Sequence, residues 1–506
     1  MVNQRKAGAL LSYADMFLGI LLGMINVPII LKFVSMGDYG VYVLLGSLIS
    51  VMGILDFGFA GTMVRYYTKS ITLHDEEKQE NTLATGAIIY AGISVITVIV
   101  GFAVYPLIQT IYKVSLTAAE LDLAQKMFII MIINFVLSIS TNVYNAAITA
   151  HERFTFTYAL NIIKALLNPI MVYVLLYYTE NIMMVVLVHT FVNVIGVITK
   201  IYYSYFKLKV KIKLHYFDKE LFTSITAFAF FIFLNMIMDK IYWQTDNMIL
   251  AAVASTSAVA VYGISSMLTR YYLNFSSNIA SMFLPKITKI SSQTDDMEEL
   301  NGIFLKIGRI QYIIIMLILT GFIIFGKEFI ILWVGTEFTN AYYFALILMI
   351  PLIVPLIQNT GISILQAKNK HRFRSMIYFF IAILNFAASI PLAKLYGGFG
   401  CAAATAGSLI LGQWIIINIY YKNKIGLKIG HFFKEILAMT LPMLLIGAVG
   451  YYINSFIVAE SYFVLIPKIL VYVILYFLII GKFSCNGYER DTFMNLFSKI
   501  LRRKSA

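Results

Sequence analysis

The chain has 506 residues, 60% of them hydrophobic and 13% charged, with a mean hydropathy of +0.82 and 39 Lys and Arg against 25 Asp and Glu. A soluble globule carries roughly 25% charged residues, so this composition excludes a water-soluble fold, and with it disorder, collagen, coiled coil and a disulfide scaffold. The net charge of +14 says nothing about a partner until the basic residues are placed along the chain.

About 20 apolar residues cross the hydrocarbon of a bilayer, and fourteen such segments follow one another at 9–33, 39–64, 83–108, 124–150, 157–178, 183–204, 222–251, 258–284, 302–325, 340–366, 375–396, 399–420, 435–456 and 461–481. The fold class predicted is therefore an all-α integral membrane protein with about fourteen transmembrane helices. The short connections leave no room for a soluble catalytic or binding domain, so any function lies in the helices. The first apolar run leads directly into another span and lacks a small-residue cleavage site, which reads as a structural anchor rather than a cleaved leader. Cys401 falls in a helix and Cys485 in the terminal tail, so no disulfide is expected.

Short loops rich in Lys and Arg stay in the cytoplasm. With the N-terminus inside, the inside segments hold twenty-seven Lys and Arg, while the outside loops hold three, Lys113, Lys327 and Lys394. That asymmetry predicts a multi-pass protein of the cytoplasmic membrane with both termini inside.

Laid over its own later part, the chain aligns the second span with the eighth: Val41 and Tyr42 fall on Val261 and Tyr262, Thr68 and Lys69 on Thr288 and Lys289, and Asn81 on Asn301. In nearly the same register, AHERF (150–154) followed by ALLN (165–168) echoes NKHRF (369–373) followed by AILN (382–385). Six spans per repeat place both halves in the same orientation, the parallel-repeat plan of secondary transporters. The expected organisation is a first lobe at 1–215, a second at 216–425, spans thirteen and fourteen at 426–483, and a cytoplasmic tail at 484–506. Apolar Phe493, Leu496 and Ile500 among basic neighbours make that tail amphipathic.

The stretch MGDYGVYVLLGSLISVMGILDFGFAGTMVRYY (36–67) resembles the start of the bacterial polysaccharide and oligosaccharide flippases, within the multidrug/oligosaccharidyl-lipid/polysaccharide exporter superfamily. TDNMILAAVASTSAVAVYGISSMLTR (245–270), FGKEFIILWVGTEF (325–338) and LYGGFGCAAATAGS (395–408) look like later signatures of the same family. The resemblance implies two six-helix lobes around a central cavity. It also implies transfer of undecaprenyl-pyrophosphate-linked sugar repeat units from the inner to the outer leaflet, with the lipid-linked oligosaccharide and membrane lipids as partners and polymerase and glycosyltransferases in the same pathway.

Charges within the spans narrow the site, because a charge near the bilayer centre costs about 2.5 kcal/mol or more. Arg270 lies twelve residues below the outside start of span eight, about 18 Å by the helical rise. Its forked guanidinium suits a pyrophosphate, and the bland alternative is a salt bridge to Asp239. Lys240 and Lys164 are the further candidate cavity cations. Asp15 and Asp56 come to one depth and, with Asp239 and Asp246, are the candidates for ion coupling or salt bridges. The bland reading has Asp56 capping a break at Asp56-Phe57-Gly58. Lys200 and Lys468 read as snorkelling, Arg309 as an inside anchor, and His189 as a hydrogen-bonded packing residue.

The spacing in GFIIFGK (321–327) mimics a phosphate loop, but Glu328 replaces the required Ser or Thr, so no built-in ATPase is read. No zinc spacing or nucleophile elbow occurs, so no catalytic residue, cofactor, metal or nucleic acid is called for. The sequence therefore predicts a flippase rather than an enzyme. The rival is a multidrug or other cation antiporter of the same superfamily.

Overall fold

The structure is a computed structural model that describes residues 4–293, 296–368 and 370–490. Among these residues it is all helical, with fourteen rods in chain order: α1 (Gln4–Phe33), α2 (Met36–Thr72), α3 (Glu76–Tyr112), α4 (Ala118–Ala150), α5 (Phe154–Thr179), α6 (Met183–Lys207) and α7 (Lys219–Val253). There follow α8 (Thr256–Gln293), α9 (Met297–Val334), α10 (Asn340–Ile357 continued by Asn359–Ala367), α11 (His371–Tyr396), α12 (Gly398–Ile425), α13 (Ile429–Asn454) and α14 (Tyr462–Phe483). All but α7 and α8 also meet a criterion of length and apolar composition for crossing a membrane. The distal tail beyond Arg490, with Phe493, Leu496 and Ile500, lies outside the described residues.

The chain forms two compact units, Met1–Gly263 with Phe386–Cys401, and Ile264–Asn385 with Ala402–Ala506. In the first unit α1 packs along α5, α3 along α4, and α2 against α4 and α7. Its core joins Met63, Tyr67, Leu83, Tyr90 and Val143. In the second unit α9 is the hub, packed on α10, α13 and α14.

Among the described residues, three rods leave helical geometry at an internal point. In α2 the helix tightens over Gly53–Asp56, and Phe57 (φ 51°) and Gly58 (φ 75°) then enter the left-handed region before the helix resumes at Phe59. Only glycine adopts that region without strain, and the Asp56 carboxylate accepts from the Ala60 N–H at 3.4 Å across the gap. In α4 a single residue, Thr141, leaves helical geometry (φ −98°, ψ 4°). Gln358 does the same in α10 (φ −101°, ψ 9°). Thr141 and Gln358 occupy equivalent positions of the repeat, in the register that lays ALLN on AILN.

The repeat extends to the joints around these rods. Asn81 at the start of α3 accepts from the His215 and Tyr216 N–H groups at 3.1 and 3.3 Å, which pins the segment leaving α6. Asn301 at the start of α9 accepts from the Lys428 N–H at 2.8 Å, which pins the segment leaving α12. Phe156 stacks on Tyr203 with centroids 3.7 Å apart, and Phe373 stacks on Tyr420 at 4.2 Å.

Three charges settle differently from their sequence reading. Arg309, expected as a surface anchor, has a side chain 8% exposed that donates to Glu489 (Nε to Oε1, 2.5 Å) and to Glu435 (3.0 Å). It also reaches the Ser484 carbonyl at 3.0 Å, so it ties α9 to α13 and to the segment after α14. Lys468, expected to snorkel, instead pairs with Glu328 at 3.0 Å, and Asn454 donates to the same carboxylate at 2.9 Å. Neither Glu328 nor Glu489 stands near its basic partner in sequence. The third charge is Glu328 itself, the residue that spoils the phosphate-loop spacing. Beside the Arg309 cluster lies Cys485, and burial followed by the Glu489 carboxylate pushes its thiol up to about 11.

Candidate functional site

In the first unit Lys164 projects from α5 toward α6. A Cβ at Gly196 would lie 3.0 Å from Lys164 Cδ and 3.1 Å from its Nζ, so glycine is what lets the long side chain lie flat along α6. Its ammonium donates to Asn193 Oδ1 at 3.2 Å. Asn193 in turn donates to Asn134 Oδ1 at 2.7 Å and to Ser138 Oγ at 2.8 Å on α4. The result is a polar cluster from three helices around one cation. Among the described residues, no carboxylate pairs with Lys164. Lys200 stands one turn along α6 from Gly196 and is half-buried.

Lys240 on α7 is half-buried and donates to Ser50 Oγ on α2 at 2.9 Å, with its Nζ 3.9 Å from the Cβ position of Gly53. This candidate cation is thus seated at the interruption of α2. Asp239, the preceding residue, is exposed. Further along α7, Asp246 is buried, accepting from the Tyr262 hydroxyl at 2.5 Å and from Ser389 at 3.2 Å.

Asp15 and Asp56 each have an amide partner of their own. Asn161 on α5 donates to Asp15 at 3.2 Å, and Asn142, the residue after the Thr141 interruption, donates to Asp56 at 3.2 Å. His189 Nδ1 lies 3.2 Å from the Tyr42 hydroxyl. Among the described residues, no three His, Cys, Asp or Glu side chains gather as they would to hold a metal ion.

In the second unit Arg270 lies well inside the unbroken α8, on an exposed face. Among the described residues it has no hydrogen-bond or ion-pair partner. The sequence reading did not single out the amides Asn134, Asn142, Asn161 and Asn193. Their signal was present, since amides within apolar spans need partners, but the partner of each lies 29 to 146 residues away.

A sequence profile described as "Polysaccharide biosynthesis protein" matches residues 29–343. No curated protein matches the sequence. Among solved structures the chain is similar to the lipid II flippase MurJ in an inward closed conformation, with a TM-score of 0.75 at 15% identity over 96% of this chain and 100% of that one. It is also similar to an inward-facing multidrug resistance MATE family transporter of the MOP superfamily (TM-score 0.67, 12% identity, 80% of this chain and 96% of that one). The Vibrio cholerae MATE transporter VcmN, solved as a point mutant, gives a TM-score of 0.57 at 14% identity over 86% of this chain and 100% of that one. At such identities the likeness is one of fold, an all-helical integral membrane transporter fold, whereas the profile covers more than half of the sequence. The chain belongs to the polysaccharide biosynthesis protein family.

Proposed function

We propose that the protein is a flippase that moves undecaprenyl-pyrophosphate-linked oligosaccharide repeat units from the inner to the outer leaflet of the bacterial cytoplasmic membrane, by alternating access of two six-helix lobes. Its product supplies assembly of a capsule or O-antigen type polymer, with glycosyltransferases upstream and a polymerase downstream. Membership of the polysaccharide biosynthesis family supports this reading. The observation that carries it is Arg270, a guanidinium well inside a long apolar helix, exposed and without a protein partner among the described residues.

A charge in that position calls for a counter-charge, and a planar fork of N–H donors matches phosphate oxygens. Arg270 contacts the pyrophosphate, and Lys240 and Lys164 are further cations for the anionic headgroup. The polyprenyl tail stays in lipid. With the cell interior negative, moving each negative charge outward gains about 2.3 kcal/mol per 100 mV, so no coupling ion is required. A cation antiporter of the same superfamily would need its acids collected for cationic cargo. Here Asp15, Asp56 and Asp246 are each engaged by different amides or hydroxyls, which favours the flippase.

The test is Arg270→Ala in proteoliposomes loaded with lipid-linked oligosaccharide, with Arg270→Lys beside it. Loss of a charge-assisted contact of about 1.5–3 kcal/mol lowers flipping by about tenfold or more at unchanged protein level, and the lysine variant retains part of it. Full flipping by the alanine variant would overturn the assignment.

A further inference from the structure

From Lys207, the last residue of α6, the chain runs into a non-helical strap before α7, and exposed and covered side chains alternate along it. Lys207, Lys209, Lys211 and Lys213 are exposed, while Val210 is 5% exposed and Leu208 and Ile212 pack on the core of the first unit. The strap is held at both ends: the Val210 N–H donates to the Ser204 carbonyl at 3.0 Å, and Asn81 accepts from His215 and Tyr216. Glu80 anchors it further, 2.8 Å from His215 Nε2 and 3.8 Å from Lys211 Nζ. Lys213 stands within electrostatic reach of the same carboxylate, and Lys207 and Lys209 have no such partner among the described residues. On either side of the row stand exposed aromatics, Tyr202, Tyr205 and Phe206 before it and Tyr216 and Phe217 after it.

The matching segment of the second unit shows that the fold does not demand this row. Only Gly426–Lys428 separates α12 from α13, and its one lysine pairs with Glu298. A general preference for basic loops on the inner face accounts for charge. It does not account for four lysines presented on one side of a segment whose other side is locked into a core.

We propose that this lysine row is a binding surface for the anionic headgroups of phospholipids on the face that the charge asymmetry assigns to the cytoplasm. Aromatic rings beside basic side chains seat a segment at headgroup level. Lys207 and Lys209 are joined by a turn, Leu208 being helical and Lys209 left-handed (φ 54°); from Lys209 to Lys213 alternate residues stand up to about 7 Å apart, so that part of the row reaches to about 14 Å. That length is too great for one pyrophosphate and suits several singly charged headgroups side by side. The surface is independent of Arg270 and of the transported cargo.

The test uses the full chain, purified in detergent with equal phosphatidylglycerol and phosphatidylcholine, and native mass spectrometry of the lipids it retains. Each lysine near an anionic surface contributes about fivefold to affinity. The wild type is expected to retain phosphatidylglycerol preferentially, and the combined Lys207→Gln, Lys209→Gln, Lys211→Gln and Lys213→Gln variant to lose that preference at least fivefold. Lys422→Gln with Lys424→Gln, at the matching end of α12, should leave it unchanged. Equal retention by the fourfold variant overturns the proposal. So does displacement of the phospholipid from the wild type by inorganic pyrophosphate at constant ionic strength, because the row would then be reading a diphosphate. The readout is lipid retention and not transport, so failure here leaves the flippase reading standing, and loss of that reading leaves this one standing.

Discussion

Two glycines at equivalent positions of the repeat separate the halves of this molecule chemically. Gly196 on α6 makes room for Lys164, and Gly412 on α12 makes room for Ile381, whose Cγ1 would lie 2.9 Å from a Cβ placed there. Lys164 and Ile381 precede the repeated ALLN and AILN by one residue each. The same close approach of helices thus holds an ammonium with an amide cluster in one half and an aliphatic side chain in the other. The joints tell the complementary story. Asp56 meets Asn142 just after the α4 interruption, and Ser276, which takes the place of Asp56 in the second half, donates to the Leu356 carbonyl just before the α10 interruption at 2.7 Å. In both cases the position is kept while the residue type changes.

The largest expected contrast between the halves lies where only the second is charged. Glu489→Ala leaves Arg309 buried with one rim-exposed partner, and breaking a buried pair costs about 3–5 kcal/mol. A drop in thermal unfolding temperature in detergent checks this, while substitution of Ile89, which falls at the Arg309 position of the first half, should show nothing electrostatic. Next comes the exchange at the glycines. Ile381→Lys places a charge in an apolar contact at about 2.5–3.5 kcal/mol, whereas Lys164→Ile should hold or raise stability and lower flipping several-fold. Equal stability losses in the two variants would show that the halves do not differ as described.

A smaller effect separates the two asparagine pins. Asn81→Ala loses two acceptor contacts, and Asn301→Ala loses one together with a longer donor contact to the Gly426 carbonyl at 3.5 Å, a full contact being worth about 1 kcal/mol. Limited proteolysis should therefore open the segment after α6 more readily than the one after α12. The smallest effect is on Cys485. A thiol at about 11 is about one part in a thousand thiolate at pH 8, against roughly a quarter for an ordinary thiol. Maleimide labelling should be slow at pH 8, rise as pH climbs toward 11, and quicken in Glu489→Gln.

The fourteen rods and the order of the repeat were legible in the sequence because hydropathy and a few punctuating residues report them directly. Asn81 and Asn301 aligned before either had a known role. The interruptions at Thr141 and Gln358 were not read from the sequence, since neither residue is itself Gly or Pro. Arg309 and Lys468 looked like surface charges because the acids that meet them lie 180 and 140 residues away. The candidate cations Arg270, Lys240 and Lys164 stood out by type alone. The amides that surround Lys164 did not, since a single Asn in a span carries no sign and its pairing depends on helix rotation.

The interruption at Phe57 and Gly58 has a consequence for solvent. A continuous transmembrane helix satisfies every backbone group internally, but one that enters the left-handed region midway frees carbonyls and amides that water or side chains must take up. Asp56 supplies an acceptor there, so α2 is expected to take up water at this point, whereas α8, unbroken through the matching stretch, is not. In deuterated buffer the amides around residues 57–60 should exchange ahead of those around 277–280. The protein would thereby admit water on one side of its repeat and exclude it on the other, a difference in wetting that needs no difference in helix count.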